Sequence, residues 1–188
     1  MSSQPTLFAF PIGARGDFLI SILRGNILKY DWDKLTVNRS IDGPNIVKLH
    51  GFGRNEFRQS LDVIVGPENL NQFLTFRISV DSKQDLLDIG YFALQKRNPS
   101  KELENFYAFI SLINRYENEF SKYRFDYVIP FSKLKDIDYI QQLYNDINQR
   151  ELTLEELSRI KHNIDINQKI LDNNPFTINH INRAFPIG

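Results

Sequence analysis

Apolar and polar positions alternate along the chain between two kinds of segment. Short, dense apolar runs are separated by longer stretches in which apolar residues recur every three or four positions. The runs "TLFAF" (6–10), "NIVKLHG" (45–51) and "FLTFRISV" (73–80) are rich in β-branched and aromatic residues and are bounded by turn residues. A fourth, "FDYVIPF" (125–131), follows a long helical pattern. Such runs predict strands buried on both faces, as in a parallel sheet. Between them, "DFLISILRGNIL" has helical spacing from Phe18, with Asp17 placed to cap it. The segment "DSKQDLLDIGYFALQKR" (81–97) opens on a capping Asp or Ser and ends in basic residues, matching the helix dipole.

The next segment, "KELENFYAFISLINRYENEFSKY" (101–123), sets Phe106, Phe109, Ile110, Ile113 and Phe120 on one broad face of an amphipathic helix. Two further helices are predicted in "IDYIQQLYNDIN" and "TLEELSRIKHNIDINQKILDN", the second opened by a capping box at Thr153 and Glu156. Residues 29–45 read as a loop or short helix, 51–72 as a helix and turn, and the tail "NNPFTINHINRAFPIG" as irregular. Strands alternating with helices predict an α/β fold: a mainly parallel sheet flanked by helices in three layers, with a helical C-terminal part from about residue 100. At 188 residues this makes one domain, 1–188. Its expected core includes Phe8, Phe10, Val47, Leu49, Phe76 and Ile78, and ligands are expected at the carboxyl ends of the strands.

Composition narrows the partners. Lys+Arg and Asp+Glu are both 23, so no overall basic field exists to hold nucleic acid or an anionic membrane, and any anion site must be local. With no cysteine there is no disulfide, thiol nucleophile or Cys-based metal site. The N-terminus lacks a basic n-region, and no apolar run approaches the roughly 18 residues that span a bilayer. A soluble, cytoplasmic protein is the expectation; the sequence leaves a homo-oligomer open.

Three groups of residues fall at the expected carboxyl edge: Gly13 to Asp17 after the first strand, Lys48 to Gly53 at the second, and Arg77 to Ser82 at the third. Backbone N–H groups of a glycine-containing loop and a helix N-terminus, as far as Phe18, favour an anion. Arg15, Lys48 and Arg77 add positive charge, and His50 has the right chemistry for a general base near neutral pH. The four are expected to converge at that edge. His162 and His180 lack spaced partners, which argues against a metal site.

This order resembles the P-loop-related sulfotransferases, which use 3′-phosphoadenosine 5′-phosphosulfate: a strand, a Pro/Gly loop entering a helix, a strand with Lys-x-His, and a strand ending in Arg. The stretch "FDYVIPFSKLKDIDYIQQLY" also resembles a strand and helix of sulfotransferase-like proteins of marine bacteria and their phages. The resemblance covers about the first 130 residues. It implies a nucleotide cofactor and a hydroxyl acceptor of unknown identity. Gly13, Arg15, Gly16, Asp17 and Phe18 would then line the 5′-phosphosulfate loop, Lys48 and His50 would be the catalytic pair, and Arg77 would grip the 3′-phosphate. The chain departs from the pattern at Asp17, where the family has Thr or Ser. It departs again at Asp85, where a serine is expected; Ser82 is near but differently spaced. The loop also lacks the Gly-Lys-Ser/Thr of an NTP-hydrolysing P-loop.

Each feature also has a purely structural reading. The glycines would permit positive φ in a turn, Asp17 would cap the helix, His50 would be a hydrogen-bonding strand-end residue, and Arg77 would pair with a carboxylate. Three functions therefore compete: a small sulfotransferase, a non-catalytic relative that binds a phosphate-bearing ligand, and an interaction protein, phage-associated or otherwise.

Overall fold

A computed structural model describes residues 5–29, 45–49, 71–97 and 103–184. Its sheet contains strands β1 (Thr6–Ala9), β2 (Ile46–Leu49), β3 (Leu74–Ser79) and β4 (Tyr127–Pro130), in the spatial order β2-β1-β3-β4 and all parallel. Among the described residues the helices are α1 (Gly16–Leu23), α2 (Lys83–Arg97), α3 (Leu103–Phe120), α4 (Ile137–Asn148), α5 (Leu154–Asp172) and α6 (Ile178–Ala184). Short 3-10 turns cover Ile27–Lys29 and Phe131–Lys135. The α/β, parallel-sheet expectation therefore holds. None of the described helices is long and apolar enough to cross a membrane.

Central strands of a parallel sheet are buried on both faces, and so they read as unbroken apolar runs. β1 is buried at all four positions. On one face Phe8, Phe76 and Tyr127 form a stacked row, with ring centroids 4.9 Å apart at each step. This row joins the larger core, to which Ile20 and Ile22 of α1, Leu87 and Phe92 of α2, and Ile140 and Tyr144 of α4 belong. On the other face Leu7, Ala9 and Leu49 pack with Tyr116 and Phe120 from the C-terminal half of α3. The earlier turns of α3 contribute Phe106, Ile110 and Ile113 to the larger core instead. Of the expected core residues, five are buried, while Val47 is half-buried on β2.

The chain steps from β1 outward to β2 and then returns to place β3 on the other side of β1. The crevice beyond the carboxyl ends of β1 and β3 is thus the topological switch point, where open α/β sheets place ligands.

Two local signals match the expectation closely. Ser82 caps α2, its Oγ accepting from the Asp85 N–H at 3.0 Å. At α5, Thr153 Oγ1 accepts from the Glu156 N–H at 3.2 Å, and Glu156 Oε2 accepts from the Thr153 N–H at 2.9 Å, completing the capping box. Arg150 grips the same carboxylate through both terminal nitrogens, at 2.9 and 3.1 Å. The Arg150 hydrogen bond comes first among the causes holding the Glu156 carboxyl below its usual 4.5. A depressed carboxyl contributes stability above its unfolded pKa and loses it as pH falls through the folded value. Glu156→Gln is therefore expected to cost about 1–2 kcal/mol at neutral pH, and its deficit relative to wild type should shrink on acidification below about pH 4.5. Urea unfolding at pH 7 and pH 3 checks both; a deficit that grows with acid would contradict the assignment.

The tail departs from the irregular expectation. Phe176 stacks on Phe106 with centroids 4.1 Å apart, Ile181 is buried, and α6 forms between Ile178 and Ala184. His180 Nδ1 accepts from the Thr177 N–H at 3.0 Å, so this histidine serves the start of a helix. Ile178, Ile181 and Ala184 recur every third position, a short helical signal that the irregular reading passes over.

Candidate functional site

The loop from β1 into α1 lies at the carboxyl edge of the sheet, and its two glycines are fixed by packing. Gly13 has φ +85, and a Cβ there would lie 2.4 Å from the Ile89 carbonyl oxygen and 2.7 Å from the Ala93 nitrogen of α2. The loop is pressed against the backbone of α2. At Gly16 a Cβ would lie 2.2 Å from Cγ of Phe10, whose ring covers the first turn of α1.

Arg15, not Asp17, is the N-cap of α1. It adopts the left-handed conformation at φ 58, ψ 33 and gives no side-chain cap. Asp17 falls in the first turn, correcting the expectation that it caps the helix. Its carboxylate pairs instead with Lys48, with Nζ 3.1 Å from Oδ1 and both side chains mostly buried. The helix dipole favours an anion at this position, and Asp17 supplies one from within the chain.

Arg15 is partly buried as a residue, but its guanidinium turns into the protein. Nη2 donates to Asn163 Oδ1 at 2.5 Å, Nη1 makes a long 3.4 Å contact with the Leu134 carbonyl, and Cζ lies 3.8 Å over the Phe18 ring. Asn167 Nδ2 in turn donates to the Asn163 backbone and side-chain oxygens at 2.6 and 3.0 Å, tying this cluster to α5. Burial lowers the Arg15 guanidinium to about 9, which still leaves it charged at neutral pH. The Phe18 side chain is buried, so toward a ligand at this edge it has only its backbone to offer.

Arg77 is also buried, and it pairs with Glu117 of α3. Glu117 Oε2 accepts from the Val80 N–H at 3.2 Å, fastening the end of β3 to the helix. The neighbouring Tyr116 hydroxyl makes a long 3.4 Å contact with the Ile78 carbonyl. Burial raises its pKa, a shift partly opposed by the Arg77 charge.

Register separates these groups. Lys48 is level with Phe8, whereas Arg77 is level with Ala9, so the two cations project from opposite faces of the sheet. Lys48 and Asp17 come together, and Arg77 and Ser82 stay near the end of β3. Arg15 goes to α5, and His50 lies outside the described residues. Ser82 is engaged in capping, and Asp85, whose carboxylate accepts from the Asp81 N–H at 3.3 Å, is raised in pKa chiefly by burial. Among the described residues no three metal-binding side chains converge.

Sequence reasoning missed Glu117 and Tyr116. Their signal is position: they extend the apolar stripe of α3 by one turn from Ile113, which places a carboxylate beside the buried face. No protein-family model, curated protein or solved structure matches the chain.

Proposed function

We propose that the chain is a non-catalytic, sulfotransferase-like protein whose carboxyl-edge anion position is taken by its own Asp17. The observation behind this reading is the 3.1 Å pair between Asp17 and Lys48 in the first turn of α1. In the transferase reading Lys48 would stabilise charge on a transferring sulfuryl group, and a carboxylate in its place repels that group. The residues present do not fit 3′-phosphoadenosine 5′-phosphosulfate. Arg15 is turned to Asn163, the Phe10 ring covers the start of α1, Gly13 lies against α2, and Arg77 is paired with Glu117.

The test is calorimetric titration with adenosine 3′,5′-bisphosphate, using wild type and Asp17→Asn after both are shown to be folded. Wild type is expected to give no binding heat up to about 1 mM. Asp17→Asn removes the internal anion beside Lys48 while the other obstacles to the nucleotide remain, so the variant should gain measurable affinity for inorganic sulfate, titrated alongside. The same change should lower stability by about 1–3 kcal/mol, because a mostly buried ammonium loses the carboxylate 3.1 Å from it. Tight, saturable binding by wild type would restore the transferase reading, with Lys48 and His50 as its catalytic pair. No binding by either protein would overturn the idea of a self-occupied anion site.

A further inference from the structure

At the opposite edge of the sheet, where the strands begin, lies a cleft of about 280 Å³ between the C-terminal ends of α1 and α4. Thr6 and Leu74, the first residues of β1 and β3, stand at its mouth, and Phe8, Phe76, Leu23 and Ile147 give it an apolar wall. Arg24 is the one charged residue among those lining it. Its Nη2 donates to Thr6 Oγ1 at 2.7 Å and to the Asn45 carbonyl at 3.2 Å. Both acceptors are neutral, and no carboxylate among the described residues pairs with this guanidinium.

Helix C-termini ordinarily repel anions, because their last carbonyls are unsatisfied. Here those of α1 are taken up. The carbonyls of Ile20, Ser21 and Ile22 accept from the N–H groups of Arg24, Asn26 and Gly25, and the Leu23 carbonyl accepts from Asn148 Nδ2 at 3.1 Å. Asn148 Nδ2 also donates to the Tyr144 carbonyl at 3.3 Å, on α4. The negative end of α1 is therefore damped, while the positive charge of Arg24 keeps free donor capacity: five N–H groups, with only Nη2 engaged. Desolvation lowers its pKa without an acidic neighbour to offset it, and a guanidinium so placed remains charged at neutral pH.

We propose that this cleft binds a small carboxylate with an apolar body, its carboxylate on Arg24 and its body against the apolar wall. The volume sits just below the roughly 300–1,000 Å³ of ordinary small-molecule sites, which limits the ligand to a compact one. A planar carboxylate is the natural partner, since a guanidinium fork takes it bidentately. The site shares no residue with the Asp17–Lys48 pair and does not depend on the reading of the carboxyl edge.

The experiment is an amide-resolved NMR titration of the full chain with benzoate, and with benzamide as its uncharged counterpart. Benzoate is expected to give saturable shifts at Thr6, Arg24 and Gln149 below about 10 mM. Benzamide should bind at least about tenfold more weakly, and so should benzoate to Arg24→Gln; Arg24→Lys should keep part of the affinity. The benzamide arm uses wild type, so it decides even if the variants fold poorly. The proposal is overturned if benzoate gives no saturable shift, if benzamide matches it, or if the shifts cluster at Asp17 and Lys48 instead.

Discussion

Glu117→Ala is expected to destabilise the fold by about 3 kcal/mol, because it strands the buried Arg77 guanidinium. Glu117 comes from the last turn of α3 and Arg77 from the carboxyl half of β3, so the pair joins a helix on one face directly to a central strand of the sheet. The Arg77 side chain is 8% exposed and the Glu117 side chain 25%. That residual exposure puts the expected loss at the lower end of the range for breaking a buried pair. The same substitution also removes the acceptor of the Val80 N–H. A double replacement, Arg77→Met with Glu117→Leu, should recover most of the loss, since it removes both charges and leaves apolar surface beside Ala9. Chemical denaturation of wild type, single and double variants measures this. A single variant within about 0.5 kcal/mol of wild type would show that Arg77 is not held by Glu117, and would return it to the pool of ligand-binding cations.

The strands were legible because short β-branched and aromatic runs are bounded by turn residues and separated by helical patterns; "TLFAF" is nearly unbroken, whereas "FLTFRISV" alternates Thr75, Arg77 and Ser79 with apolar residues, the mark of a solvent face that the structure instead buries. Helix starts at Ser82 and Thr153 were legible because capping is a local contest between side chain and backbone. The electrostatic partners were not. Lys48 and Arg77 each lie at a strand's carboxyl half, yet register alone decides the face, and a one-residue offset sends them to opposite sides. Arg15 was unreadable for another reason. An L-residue at φ 58 redirects its side chain, and nothing in "GARGD" announces that the second glycine, rather than Arg15, begins the helix. The cleft at Arg24 draws on residues from Thr6 to Gln149, so no local pattern in the sequence marks it.

The same loop yields the largest expected effect of a single methyl group. Gly13→Ala is predicted to cost about 4 kcal/mol or more, a large part of the roughly 5–15 kcal/mol that holds a domain together. Two costs add. At φ +85 an L side chain is strained by about 1–2 kcal/mol. The new Cβ would also meet the Ile89 oxygen at 2.4 Å and the Ala93 nitrogen at 2.7 Å, both backbone atoms of α2, so no rotamer change relieves the clash. Gly90→Ala is the matched control on the same helix. Its Cβ would lie 2.4 Å from Cδ1 of Ile110 and 3.1 Å from the Phe106 ring, side-chain rather than backbone atoms, so the clash is met by repacking at about 1–3 kcal/mol, and Ala in a helix interior gains up to about 1 kcal/mol over Gly. Gly90→Ala should therefore fall within about 1–2 kcal/mol of wild type and keep its cooperativity, while Gly13→Ala melts far earlier. Thermal unfolding of the two variants side by side separates them. If Gly13→Ala is tolerated as well as Gly90→Ala, the β1–α1 loop is not pressed onto α2. The space over its backbone N–H groups would then be open to an anion, and the self-occupied reading of the carboxyl edge would lose one of its supports.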